Sequence, residues 1–198
     1  MTKKREYPMF GLGSSREEER RERFARLITP HVDAAYNLAR WLCGDDQHAQ
    51  DIAQDAVLRA WQYFGSLRGD AGRPWLLGIV RRTFFDWRAG QKRDALHEEP
   101  LELETHEQVA DESLWAQSPE SWASRFADAA VLNAALAALP VHYREALVLR
   151  ELEDLSYKEI ARVIDVPVGT VMSRLARARE LMLKSLNEQG ITAYEQIR

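Results

Sequence analysis

Leu155-Ser156-Tyr157-Lys158-Glu159-Ile160-Ala161-Arg162-Val163-Ile164-Asp165-Val166-Pro167-Val168-Gly169-Thr170-Val171-Met172-Ser173-Arg174-Leu175-Ala176-Arg177-Ala178-Arg179 decides how the second half of this chain folds. Ser156 followed by Glu159 has the spacing of a capping box, in which each side chain satisfies a backbone N–H at a helix start. Ile160, Val163 and Ile164 then fall on one face of a short helix, and Ala161 is small where a second helix must cross closely. Asp165-Val166-Pro167 makes a turn, because Pro167 cannot continue a preceding helix yet tolerates a helix start. Val171, Leu175, Ala178 and Met182 repeat at helical spacing and line the inner face of a second helix. The pattern predicts a helix-turn-helix from Ser156 to Leu183.

The outer face of that second helix carries the chemistry. Val168, Gly169, Thr170, Ser173, Arg174 and Arg177 lie in or near its N-terminal half, with Arg179 and Lys184 beyond. From Pro167 to Lys184 there are four basic residues against one acidic residue, Glu180. In helix-turn-helix docking the second helix enters the major groove with its N-terminal residues at the base edges. Arginine suits guanine O6 and N7, and threonine and serine serve bases or phosphates. A glycine at the helix start admits close approach of a phosphate to free N–H groups. The plain alternative is a solvated basic helix on an ordinary bundle. The capping box, the small crossing residue and the basic outward face together favour DNA.

Upstream, Pro140 separates an apolar helix through Val131, Leu132, Ala135, Leu136 and Leu139 from another through Tyr143, Leu147 and Arg150. From Phe24 to Trp87 apolar residues again recur three and four apart. Ala35, Ala39 and Leu42 mark one helix; Ala53, Val57, Ala60, Trp61 and Phe64 a second; Leu76, Ile79, Val80, Thr83, Phe84 and Trp87 a third. Gly44 closes the first and Pro74 opens the third. Strand-like alternation is missing throughout, so the expected class is all-α. Between Asp94 and Asp128 ten acidic residues face one basic residue, Arg125. Pro100 and Pro119 interrupt that stretch, whose composition predicts a flexible acidic linker.

The expected domains are therefore a flexible tail over 1–23, a helical unit over 24–93, the linker over 94–128, the helix-turn-helix unit over 129–187 and a polar tail over 188–198. The formal net charge of −4 over 198 residues hides a strong segregation of charge. Asp45, Asp46, Asp51 and Asp55 make the middle helix of the first unit acidic, a surface suited to a basic partner. From Arg68 to Arg93 seven basic residues oppose two acidic ones. Trp75, Phe84, Phe85 and Trp87 are interleaved with them, a combination suited to separated strands with unstacked bases. For Phe84 and Trp87 the core is the expected place.

The single cysteine, Cys43, can build neither an internal disulfide nor a Cys-rich zinc site and is expected to be a small buried residue at a helix end. No apolar run has membrane-spanning length, and no apolar stretch follows the basic start Met-Thr-Lys-Lys-Arg. A cytoplasmic protein that makes no membrane insertion of its own is expected. Catalytic motifs, metal spacings and cofactor loops are lacking, so no enzyme, metal or cofactor is expected.

These stretches resemble the extracytoplasmic-function (ECF) sigma factors, small bacterial transcription initiation factors of the sigma-70 type. Ser156–Ala161 and Val168–Arg179 are similar to their region 4. Asp51-Ile52-Ala53-Gln54-Asp55-Ala56-Val57-Leu58-Arg59-Ala60-Trp61 and Trp75-Leu76-Leu77-Gly78-Ile79-Val80-Arg81-Arg82 through Asp86-Trp87-Arg88 are similar to region 2. The resemblance implies that Asp51, Gln54, Asp55, Leu58 and Trp61 meet the β′ clamp helices of core RNA polymerase. It implies that the loop Gly65–Arg73 captures a flipped base of the −10 element, with Arg68, Gly69, Asp70, Trp75, Arg81 and Arg82 as the contacts there. The second helix of the helix-turn-helix would read the −35 element, with its domain on the β flap. An anti-sigma protein is an implied partner. Arg82 stands where the family commonly has asparagine. The competing reading is a free-standing helix-turn-helix repressor or activator, which needs no polymerase-facing acidic helix. That regulator would bind duplex promoter DNA alone, whereas under the sigma reading so small a basic face on a slightly acidic chain is expected to bind DNA weakly by itself.

Overall fold

The computed structural model describes residues 12–95 and 129–188, and all regular structure among them is helical. The first bundle holds α1 (Leu12–Leu27), α2 (Val32–Cys43), α3 (Asp46–Tyr63) and α4 (Gly72–Ala95). The second holds α5 (Ala129–Ala138), α6 (Val141–Glu151), α7 (Tyr157–Ile164) and α8 (Val168–Glu188). The acidic linker and the C-terminal tail expected from composition lie outside the described residues but for their outermost positions.

Local chemistry sets the boundaries. Gly44 ends α2 in the left-handed conformation at φ 77°, with its N–H bonded to the Arg40 carbonyl. The Asp45 carboxylate starts α3 by accepting from the His48 N–H at 2.8 Å, and that bond holds its carboxyl below the ordinary range. Pro140 separates α5 from α6, and its carbonyl accepts from the Tyr143 and Arg144 N–H groups at 3.0 Å each. The capping box of α7 forms in both directions: Glu159 N–H donates to Ser156 Oγ at 3.3 Å, and Ser156 N–H to Glu159 Oε2 at 2.9 Å. Asp165 then closes α7 at φ 56°.

Two expectations need correction. The segment 12–23, expected to be part of a flexible tail, is helical in α1; residues 1–11 lie outside the described residues. Helix α1 is held by its cationic and aromatic side chains, which pack on α3 and the turn after it: Phe24 meets Trp61 and Phe64 edge to face, each with centroids 5.1 Å apart. Cys43 is half-buried, donating from Sγ to the Asp45 carbonyl at 3.2 Å, and burial pushes its thiol above the ordinary range.

The two bundles pack on each other. Helix α4 lies against α7 and α2 against α6, and one apolar cluster runs from Leu38, Leu76 and Val80 through to Leu149, Ile160 and Val163. Gly78 faces α7 at this crossing, where a Cβ would stand in ordinary contact, 3.9 Å from the Val163 Cα and carbonyl oxygen. Arg144 reaches across the seam. Its guanidinium donates to the Trp41 carbonyl at the end of α2 (3.0 Å), to the Ala137 carbonyl in the last turn of α5 (3.1 Å) and to the Leu139 carbonyl just after it (3.0 Å). These are carbonyls at helix ends, which a half-buried cation can satisfy. Burial holds the Arg144 pKa below its ordinary value.

The tightest approach in the first bundle is at Gly72, where a Cβ would sit 2.0 Å from the Leu27 carbonyl oxygen. Only glycine lets the start of α4 abut the end of α1. Gly72→Ala is expected to destabilise the fold by about 2 kcal/mol through overpacking against an unyielding backbone, read as a fall in midpoint on thermal or urea unfolding.

Candidate nucleic-acid interface

Helix α8 is divided lengthwise. Val171, Leu175, Ala178 and Met182 are almost wholly buried, as their spacing predicts. On the opposite side Val168, Gly169 and Arg177 are exposed, while Thr170, Ser173 and Arg174 are partly so. The Pro167 carbonyl accepts from the Thr170 and Val171 N–H groups (3.0 and 3.2 Å), so the helix winds immediately after the proline. Ser173 Oγ donates to the Thr170 carbonyl at 3.1 Å. One guanidinium nitrogen of the half-buried Arg174 has no hydrogen-bond partner within the described residues. Arg177 pairs with Glu180 at 2.7 Å on the surface, an exchangeable contact of small energy.

Arg179 is a correction. Expected on the basic outer face, it is instead 7% exposed and donates to Glu151 of α6 at 2.9 Å, with both side chains buried. It follows Ala178 on the inner edge of α8, so its charge ties α8 to α6. The outward basic set of this helix is therefore Arg174, Arg177 and Lys184.

In the first bundle the loop before α4 presents Arg68, Gly69 and Asp70 to solvent, with Gly69 at φ 68°. A brace holds this loop that spacing could not reveal. Arg23 of α1 donates to the Gly69 carbonyl at 3.0 Å and the Leu67 carbonyl at 3.5 Å, with its guanidinium 5.2 Å from the Phe64 ring centroid. Arg23 sits in a run of charges where nothing in sequence separates it from its neighbours. Trp75 is half-buried against the Phe64 edge at 6.3 Å, Phe84 is buried, and Trp87 is half-buried against His48 at 4.8 Å. The α4 aromatics thus serve largely as core.

The α4 cations fare differently from one another. Arg82 is exposed. Arg81 lies over the Phe85 ring at 4.7 Å and pairs with Glu145 of α6, whose side chain has no exposed surface. Arg73 donates to Glu153 at 2.5 Å, after α6, and that carboxylate is 5% exposed. Burial pushes the Glu153 carboxyl above its ordinary range, and Arg73 only partly pulls it back.

On α3, Asp51, Gln54 and Leu58 are exposed and Asp55 partly so, one face at spacings of three and four. Leu58 is 63% exposed, an apolar residue among carboxylates. Asp55 pairs with Arg59 at 3.0 Å, and Arg59 reaches on to Asp86 of α4 at 2.7 Å. Trp61 departs from this face, covered by Phe24 and by the Arg20 guanidinium 4.4 Å from its ring. Asp45 and Asp46, counted with the acidic surface, are engaged locally: the first caps α3 and the second pairs with Arg40.

Residues 27–94 match the model of Sigma-70 region 2, and residues 130–182 match that of Sigma-70, region 4. The RNA polymerase sigma-H factor of Pseudomonas aeruginosa is 37% identical over 148 residues, covering 72% of this chain and 75% of that protein. The ECF RNA polymerase sigma-E factor of Escherichia coli is 34% identical over 132 residues, covering 66% and 69%. The chain belongs to the ECF family of RNA polymerase sigma factors. As such it directs RNA polymerase to promoters. Among solved structures, the sigma factor RpoE from Bartonella quintana, in complex with the anti-sigma factor NepR, superposes with a TM-score of 0.64 at 25% identity, covering 83% of this chain and 96% of that one. CnrH, in complex with the cytosolic domain of CnrY, shares the fold at a TM-score of 0.56 and 22% identity. Both overlaps span the two bundles. No helix among the described residues is long and apolar enough to cross a membrane.

The division of α8 sets two arginines apart. Arg179→Ala leaves Glu151 buried without its partner and is expected to cost the factor about 3 kcal/mol of stability. Arg177→Ala, at the surface, is expected to cost less than about 1 kcal/mol. Urea unfolding of the two variants side by side measures the difference.

Proposed function

We propose that three surfaces of this factor divide the work of initiation. The first turns of α8, through Val168, Gly169, Thr170, Ser173, Arg174 and Arg177, read the −35 element in the major groove. The loop and helix bearing Arg68, Gly69, Asp70, Trp75, Arg81 and Arg82 engage the −10 element and help to open it. The α3 face of Asp51, Gln54, Asp55 and Leu58, with Trp61 at its edge, docks on the β′ clamp helices of core polymerase, while the second bundle rests on the β flap.

The observation that carries this reading is the split of α8. Its apolar side is fully used in the second bundle, its one inward cation is used by Glu151, and what is left outward is the N-terminal turn with Arg174 and Arg177. Free N–H groups at a helix start attract phosphate, and arginine at this register reaches guanine. The exposed Leu58 among carboxylates supports the polymerase assignment in the same way, since an apolar centre ringed by charge is the anatomy of a protein interface. Trp75 contributes chiefly by placing the loop, given its packing on Phe64. An anti-sigma protein is proposed as a further partner, on the ground that the similar sigma factor RpoE was solved in complex with the anti-sigma factor NepR.

Run-off transcription with purified core polymerase tests the whole assignment: the factor should support specific initiation, and tight promoter binding by the chain alone with no initiation would favour the free-standing regulator instead. Within that assay Arg177→Ala is expected to lower −35-dependent initiation at least tenfold while leaving affinity for core unchanged. Asp55→Arg is expected to weaken core binding at least tenfold, measured by native gel or fluorescence anisotropy. Unchanged core affinity would remove the α3 face from the account.

A further inference from the structure

Arg20, Arg23, Phe24 and Leu27 stand at i, i+3, i+4 and i+7 of α1, which puts them on one stripe of the helix. Each meets the chain at a successive point around the loop between α3 and α4. Arg20 donates to the Trp61 carbonyl at 2.5 Å, with its guanidinium 4.4 Å from the indole centroid. Phe24 lies against Trp61 and Phe64. Arg23 takes the Leu67 and Gly69 carbonyls, and the Leu27 backbone abuts Gly72. The stretch so bridged runs from the last turn of α3 to the first residue of α4. The α1 residues beside the stripe, Arg21, Glu22, Ala25 and Arg26, are exposed. Three of the four stripe residues precede the match to Sigma-70 region 2.

The loop closes its own ends. Leu67 N–H donates to the Phe64 carbonyl at 3.1 Å, and Gly72 N–H to the Asp70 carbonyl at 2.8 Å. Between those bonds Arg68, Gly69 and Asp70 are exposed, and Gly69 is left-handed at φ 68°. Across that apex the Leu67 and Gly69 carbonyls, two residues apart, converge on Nη2 of Arg23. Hydrogen bonds from a cationic donor are about twice as strong as neutral ones, so one side chain sets the curvature of the apex.

We propose that α1 is a splint that shapes this loop before DNA arrives, with Arg23 as a positioning residue for capture of the −10 element. The proposal rests on the −10 assignment of the preceding section. A loop whose carbonyls bond only to water samples many backbone conformations, and ordering it on binding weakens the complex. A loop already tied to α1 avoids that loss. It presents the exposed Arg68 and Asp70 side chains to an incoming strand at a fixed spacing. The half-buried Arg23 spends its charge on the protein's own carbonyls, so it acts on DNA through the loop.

The test uses the full chain on core polymerase, and as probe a forked fragment of a promoter on which the wild-type factor supports run-off transcription. Arg23→Met keeps the side-chain stem and removes the donors. It should bind the fragment about tenfold more weakly, with unchanged affinity for core and an unchanged slope of log affinity against log salt. In the free factor, amide hydrogen exchange over residues 67–72 should quicken while α3 keeps its wild-type protection. Arg23→Lys, which retains one nitrogen donor for the two carbonyls, should recover most of the binding and of the protection. Arg21→Met removes the same charge from the exposed side of α1, where Arg21 pairs with Glu17 at 3.6 Å, and should behave as wild type. Wild-type exchange in Arg23→Met would overturn the splint. So would a salt slope reduced by about one, which would make Arg23 a phosphate contact. If Arg68→Ala with Asp70→Ala leaves fragment binding intact, the −10 assignment fails instead, and the exchange measurement still reads the splint.

Discussion

The Glu145 carboxylate, wholly enclosed between α4 and α6, is the constraint around which the rest is arranged. A charge so placed must have a cation, and the cation is Arg81, from the other bundle. Fixing that pair fixes which face of α4 looks inward. Gly78 then faces the second bundle at Val163, and Arg82 turns to solvent. Arg144, one residue before Glu145, caps the end of α2 in the same stroke. Adjacent residues of opposite charge on α6 thus hold two helices of the first bundle, each through a different kind of partner.

The consequence for function is that cations are allotted before DNA arrives. Arg179 serves Glu151, Arg59 bridges Asp55 and Asp86, and Arg23 braces the loop at Gly69. A count of basic residues along the chain therefore overstates the charge available to a duplex. With a net charge of −4 besides, the free chain offers DNA only a small positive surface.

Much of the fold was legible because it rests on local rules. Gly44 as a left-handed helix end, the reciprocal Ser156–Glu159 cap and the buried stripe Val171, Leu175, Ala178, Met182 are each written within a few residues. The outward set on α8 follows from that stripe by exclusion, apart from Arg179. What was not legible is long-range. Arg179 lies one position from Ala178, and only the position of Glu151, 28 residues earlier, draws it inward. Helix α1 reads as a solvated charged run because its apolar content is slight; its order comes from Arg20, Arg23 and Phe24 meeting Trp61, Phe64 and the Leu67–Gly69 carbonyls. No periodicity encodes a guanidinium over an indole.

The same long-range logic explains why Trp61 is a poor centre for the proposed polymerase contact although it falls on the helix proposed to make it. An indole covered on one side by Phe24 and on another by Arg20 already has much of its apolar surface out of water. Burying the remainder against a partner yields less than burying Leu58, which stands 63% exposed one turn earlier. The hydrophobic contribution at that face then centres on Leu58, with Asp51, Gln54 and Asp55 around it supplying orientation. Trp61 contributes indirectly, because the α1 residues that cover it are neighbours of Arg23, and Arg23 holds the loop proposed to meet the −10 element. A single aromatic on α3 in this way couples the placement of the face proposed for polymerase to the placement of the loop proposed for DNA, through a helix that precedes nearly all of the region 2 match.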